Sequence, residues 1–238
     1  IEAGIPAGTI NVVNGTGDIG QKLISHPDVA KVSFTGSVPP GLKVGAQAMS
    51  SGLTRVSLEL GGKNAAALLD DVNVDDAVTG LIQTGYVHQG QVCAAPERVY
   101  VHRSRFDEVV SKMCERLSVL NISDPLDEEA HFGPLTSKAH FNKVMHFFTI
   151  AAEESQILFG GKAIARAGYY VEPTLVVANG PDDRLLKEEV FGPVLCFLPF
   201  DTDEELVSLM NNSEFGLTAS LWTNDLSRAF RLIPQIEA

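Results

Sequence analysis

Cysteine is scarce in this sequence, and the three present, Cys93, Cys114 and Cys196, form no Cys-x-x-Cys pair. An odd number of scattered thiols argues against a disulfide framework and fits a reducing compartment, so a cytoplasmic location is expected. Positive charge is also in short supply: 18 Lys and Arg face 30 Asp and Glu, a net charge of −12. With no basic run to release counterions from phosphates, nucleic acid is not an expected partner. Long apolar runs are missing too. The run Val194-Leu195-Cys196-Phe197-Leu198 is far too short to cross a bilayer, and no charged, apolar, small-residue leader follows Ile1, so no membrane association is expected. The six histidines fall into no His-Glu-x-x-His pattern, and cysteine clusters and calcium-loop spacing are lacking, so no metal site is expected.

What is present is a chain with 45% apolar residues, enough to bury a sizeable core. Short apolar runs alternate with helical patterns. Strands are expected at Ile10–Val13, Val32–Thr35, Arg55–Leu60, Ala65–Leu69, Arg98–His102, Thr174–Val177, Val194–Phe200 and Thr218–Thr223. Helices are expected at Gly20–Ser25, Leu42–Ser50, Val74–Gln89, Phe106–Leu120, Lys138–Glu154 and Asp203–Asn211, with a last one from Leu226. Ser37 can cap the second of these and Pro39 suits its first turn, while Asp75 and Asp76 suit the start of the third. The alternation predicts an α/β fold with a mostly parallel sheet covered on both faces. Gly61-Gly62 is the nearest thing to a linker and divides the chain into 1–61 and 62–238.

Gly15-Thr16-Gly17-Asp18-Ile19-Gly20 matches the Gly-x-Gly-x-x-Gly pattern that cradles a dinucleotide pyrophosphate. That pattern also needs an acid at the end of the next strand to hold a ribose, where this chain has Ser33-Phe34-Thr35. The motif therefore fails its own test.

Two further segments carry chemistry. Cys93, in His88-Gln89-Gly90-Gln91-Val92-Cys93-Ala94-Ala95, follows a helix-ending glycine with little side-chain bulk around it, as an attacking sulfur requires. Glu59, in Leu58-Glu59-Leu60-Gly61-Gly62-Lys63, stands at the carboxyl end of a strand, where ligands of open α/β sheets gather. Cys114 and Cys196 lie in apolar helix and strand patterns and read as packing residues. His88 lies five residues before Cys93, but a local Cys/His pair is a weak sign of a hydrolase dyad.

Taken with Lys187-Glu188-Glu189-Val190-Phe191-Gly192-Pro193 and Phe34-Thr35-Gly36-Ser37, these segments resemble, in order, the motifs of the aldehyde dehydrogenase superfamily. His88 departs from the Asn usual there. Gly168–Thr174 and Gly216–Thr223 look most like phenylacetaldehyde dehydrogenases, and Gly36–Gly41 more like betaine-type enzymes. The resemblance implies the end of a Rossmann-like cofactor domain followed by a cysteine-bearing catalytic domain. It implies Cys93 as nucleophile and Glu59 as general base. NAD or NADP would be held at Thr35, Gly36, Ser37, Leu60, Glu189 and Phe191, with the Gly17 turn near the adenine end.

The chemistry so implied is oxidation of a small-molecule aldehyde to a carboxylic acid through a thiohemiacetal and a thioester on Cys93. Family members are about twice as long, so the chain reads as an internal fragment, inactive alone, of a homodimeric or homotetrameric parent. Two rival readings are a cofactor-free cysteine hydrolase or thioesterase and a non-catalytic descendant of the fold. On the mechanism, Cys93 and Glu59 should face one cleft between the Ile1-to-Leu60 part and the part after Gly61, with the intervening strand and helix returning the chain to the carboxyl end of the sheet where Glu59 sits.

Overall fold

The computed structural model describes residues 3–238. The chain divides into two compact units, Ile1–Leu60 and Gly61–Ala238. In the first, helix α1 (Gly17–Ile24) is followed by strand β1 (Lys31–Thr35), helix α2 (Val38–Ser50) and strand β2 (Arg55–Glu59). The two strands are parallel, in register from Lys31 opposite Arg55 to Thr35 opposite Glu59, with α2 as the crossover. Pro39 lies in the first turn of α2 as expected; Ser37 takes the extended cap conformation, but its hydroxyl makes no capping hydrogen bond.

Two expectations fail in this unit. Ile10–Val13 forms no strand, because no strand among the described residues lies beside it to complete a ladder. Helix α1 therefore opens at Gly17 straight from a loop, and the glycine motif lacks its preceding strand as well as its acid. Strands β1 and β2 are also not buried on both faces: their residues range from exposed to half-buried.

The second unit holds strands β3 (Asn64–Leu68), β4 (Pro96–His102), β5 (Gln156–Phe159), β6 (Thr174–Val177), β7 (Val194–Phe200) and β8 (Ala219–Trp222) in one sheet, ordered β5-β6-β7-β4-β3-β8. Every pairing is parallel except that of β5 with β6, so the class is α/β with a mostly parallel sheet. Helices α3 (Val74–Gly85), α4 (Arg103–Ser118), α5 (Lys138–Glu154), α6 (Arg184–Lys187), α7 (Asp203–Asn211) and α8 (Leu226–Leu232) connect the strands. Alternation along the strands feeds two cores. Ala65, Ala67, Tyr100, Cys196 and Leu198 join Phe147 and Phe148 of α5 on one face. Ala66, Leu68, Val99, Val101 and Phe197 join Leu81 of α3 and Met113 and Leu117 of α4 on the other. Strand β5 and the short α6 have no counterpart among the expected elements.

Helix α3 ends earlier than expected, at Gly85. A 3-10 turn, Val87–Gly90, follows, in which His88 and Gln89 take φ of 50° and 58°. These left-handed residues break the helical ladder and turn the chain back to the sheet. At the other end of α3, Asn73 caps by accepting from the Asp75 and Asp76 amides. No helix of the described residues is long and apolar enough to cross a membrane.

Two arginines fasten the second unit together. The buried Arg98 guanidinium donates to the carbonyls of Lys63, Leu209 and Met210 and to the Tyr100 hydroxyl, so it neutralises the carboxyl end of α7. Arg228 of α8 bonds Asp203 at the start of α7 and Asp70 just after β3. Hydrogen bonds from Arg228 hold both carboxyls below their ordinary value of 3.8. A depressed acid stabilises the fold above its unfolded pKa, and that contribution is lost as pH falls through the folded one. Arg228→Met should therefore lower stability by about 1 kcal/mol at neutral pH, allowing for the partial exposure of the pair. Thermal unfolding should show the gap closing as pH falls below the ordinary carboxyl value of 3.8; a gap independent of pH would contradict the ion-pair account.

Candidate active site

Parallel β3, β4 and β7 begin at the same edge of their sheet, and three segments singled out in the sequence meet there. Cys93 lies exposed in the turn between the 3-10 helix and β4. Asn64, the first residue of β3, fixes this turn: its Nδ2 donates to the carbonyls of Cys93 (2.6 Å) and Ala95 (2.9 Å). Its Oδ1 accepts from the Thr218 amide at 3.1 Å, and the Thr218 hydroxyl donates to Ala94 O. Upstream of the thiol, Gln91 accepts from Thr136 N and donates to His88 O. Gln89 donates to Gly133 O, while its Oε1 is buried without a partner.

The segment Glu189–Phe191 precedes β7 at the same edge. Glu189 is half-buried, and its Oε1 accepts from Gly62 N at 3.1 Å. A Cβ at Gly61 would meet the Glu189 carboxylate, so a larger residue here would displace that side chain from its place. Burial raises the pKa of Glu189 first and the nearby Glu97 carboxylate second, while the Gly62 amide opposes them. Phe191 has a φ of +56°, unusual for a side-chain-bearing residue. Its carbonyl lies 2.6 Å from His140 Nε2, and the two rings meet edge to face at 5.9 Å. Gly90, at φ +67°, packs so closely on the Gly192 carbonyl that no larger residue fits. The cysteine turn and the Glu189–Phe191 turn are thus in direct backbone contact.

In the first unit the other named residues gather at the carboxyl ends of β1 and β2. Thr35 and Glu59 are register partners, and Gly36 N donates to Glu59 O at 3.0 Å. Glu59 is exposed, Leu60 packs against Gly41 of α2, and Ser37 opens that helix. Gly17 lies apart from them. With Gly20, Ile24, Phe34, Pro40 and Val44 it lines a largely apolar cavity of about 680 Å³.

The site departs from the expected layout in one respect. The expectation that the chain returns after Glu59 to the carboxyl end of the same sheet is not met, because β3 and β4 belong to a second sheet and Cys93 precedes β4. The reason is topological: a strand parallel to β3 can begin only where β3 begins, so α3 carries the chain back to the amino edge. Lys63, Asn64, Glu97 and His140 also belong to this site, although no motif in the sequence gives them a role of their own. Glu97 lies just ahead of the expected strand Arg98–His102 and enters the buried sheet only because β4 starts two residues earlier, at Pro96.

The model of the aldehyde dehydrogenase family matches residues 1–238, and the chain belongs to that family. It is 41% identical over 242 residues to the betaine aldehyde dehydrogenase of Sinorhizobium fredii, a match covering all of this chain and 50% of that protein. It is 38% identical over 244 residues to human 4-trimethylaminobutyraldehyde dehydrogenase, covering 49% of it. PnpE of Pseudomonas sp. WBC-3, solved in complex with nicotinamide adenine dinucleotide, superposes with a TM-score of 0.96 at 40% identity over all of this chain and 50% of that one. The chain spans about half the length of the relatives it matches.

Asn64→Ala removes both donors to the cysteine turn and strands the Thr218 amide. Stability should fall by about 2 kcal/mol, and amide hydrogen exchange of the peptide spanning Val92–Ala95 should accelerate. Unchanged exchange there would show that Asn64 does not hold the turn.

Proposed function

We propose that the whole protein to which this chain belongs oxidises an aldehyde to a carboxylic acid with NAD, with Cys93 as the nucleophile. The observation that carries this reading is the backbone contact of Gly90 with Gly192, which fixes the cysteine turn against the turn bearing Glu189 and Phe191. A nucleophile and a cofactor-binding turn held in one frame suit a reaction in which a covalent adduct must give up a hydride. A cofactor-free hydrolase has no use for the second turn.

The residues present fit a dinucleotide. The apolar cavity beside Gly17 suits a flat base, and the uncapped Ser37 hydroxyl is free for a phosphate at the start of α2. The Glu189 carboxylate suits ribose hydroxyls, and Thr35, Gly36, Leu60 and Phe191 complete the set. When bound, the cofactor supplies the hydride acceptor. In this reading the first unit binds the cofactor and the second carries the catalytic cysteine, while the 238-residue chain alone is inactive. The three free cysteines support a reducing, cytoplasmic setting, and a homodimer or homotetramer is the proposed assembly.

Cys93 Sγ adds to the aldehyde carbon, and the Cys93 backbone amide shares in holding the oxyanion. Loss of hydride from that carbon leaves a thioester on Cys93. Glu59 takes a proton from water, the hydroxide adds to the thioester carbon, and the adduct collapses to the carboxylic acid and the Cys93 thiolate that begins the next turnover, while Glu59 releases its proton to solvent. For this, Glu59 and Cys93 must open on one cleft, which is part of the proposal. Betaine aldehyde and 4-trimethylaminobutyraldehyde, after the names of the relatives, are the first aldehydes to assay.

Two variants of the whole protein test these assignments. Cys93→Ala should abolish aldehyde-dependent formation of reduced cofactor while leaving cofactor affinity within about two-fold; ordinary turnover in this variant would place the nucleophile elsewhere. Glu59→Gln should retain a burst of reduced cofactor in rapid mixing but lose steady-state turnover by about 100-fold or more. Burst and steady state lost together would mean that Glu59 acts before or during hydride transfer. Ester hydrolysis without reduced cofactor from any aldehyde would overturn the dehydrogenase reading itself.

A further inference from the structure

Lys63 and Glu97 form an ion pair with side chains only 1% and 5% exposed. A buried ion pair gives little net stability over an apolar pair of the same size, so packing does not explain its presence. What the Glu97 carboxylate holds does explain it. Its Oε1 accepts from Phe191 N at 2.7 Å, and its Oε2 accepts from Val190 N at 2.9 Å as well as from Lys63 Nζ. One carboxylate thus takes two successive amides of the turn in which Phe191 adopts its left-handed conformation.

We infer that Glu97, seated by Lys63, is a positioning residue that sets the pose of Glu189 and Phe191 for the cofactor. The inference rests on the reading of those two residues as cofactor ligands. Its geometry is a double tie between the same two chain segments. Gly62 N holds the Glu189 side chain, and one residue on, the Lys63 side chain holds the carboxylate that holds the Phe191 backbone. Arg98 braces the pair by donating to the Lys63 carbonyl at 2.6 Å. Charge-assisted bonds to both amides are stronger than a neutral side chain could make, and they favour the left-handed backbone that otherwise tends to relax. From there the pose passes to the Phe191 carbonyl on His140 and to the two rings. Glu97 touches no reactant in this scheme and acts only through the turn.

The test uses Glu97→Gln in the whole protein. In the cofactor-free state, hydrogen exchange of the peptide spanning Val190 and Phe191 should accelerate about ten-fold or more. The dissociation constant and KM for NAD should rise about ten-fold, the effect of losing one charge-assisted bond. Cofactor-free alkylation of Cys93 by iodoacetamide should stay within about two-fold of wild type, since Asn64 holds that turn independently. Unchanged exchange, unchanged NAD affinity in a folded variant, or a parallel change in alkylation would each overturn the proposal, the last by showing a general loosening. If the single variant does not fold, Lys63→Met with Glu97→Gln leaves no uncompensated charge and is read by the same measurements. A wild-type protein that binds no NAD would sink the cofactor reading, whereas exchange still decides whether Glu97 holds the turn.

Discussion

Parallel pairing is the constraint on which the second unit depends. Once β3, β4 and β7 run in one direction, every connection between them must return to the same edge. Three loops distant in sequence, Gly61–Lys63, Gly90–Ala95 and Glu189–Gly192, are thereby delivered to one place. Within the second unit, this pairing and the short bonds that stiffen each loop are enough to set the cysteine turn beside the turn of Glu189 and Phe191.

Those bonds share a pattern. Backbone groups near the thiol are held by side chains that begin neighbouring strands: Asn64 holds the carbonyls of Cys93 and Ala95, and Glu97 holds the amides of Val190 and Phe191. Strand residues are the more rigid mounts, so the loops gain order without lengthening the strands. The cost is a set of buried charged and polar groups, Lys63, Asn64, Glu97 and Arg98, each paired. Left-handed His88, Gln89 and Phe191 add local backbone strain next to the functional residues.

Much of the fold was legible because local signals and tertiary structure agree. Helices α5 and α7 run as the apolar periodicity suggests, and each starts at a capping hydroxyl, Ser137 or Thr202. Strands β6 and β7 show as apolar runs because both their faces are covered. Ile10–Val13 has the same apolar character and forms nothing, since a strand is defined by its partner. Strand β5 alternates between exposed and half-buried residues at an antiparallel edge, too weak a pattern to find. Cys93 and Glu59 stood out through motif resemblance, whereas Lys63 and Glu97 did not. Their pairing spans 34 positions and arises only from the register that sets Asn64 opposite Pro96.

The central claim is that Cys93 carries the substrate carbon. Acid-quenched mass spectrometry of the whole protein during turnover of an aldehyde with NAD addresses it directly. The account predicts an acyl mass on the peptide containing Cys93, accumulating when Glu59 is replaced by Gln. An acyl mass on another residue, or aldehyde oxidation with no acyl mass on any peptide of the Glu59→Gln protein, would contradict it.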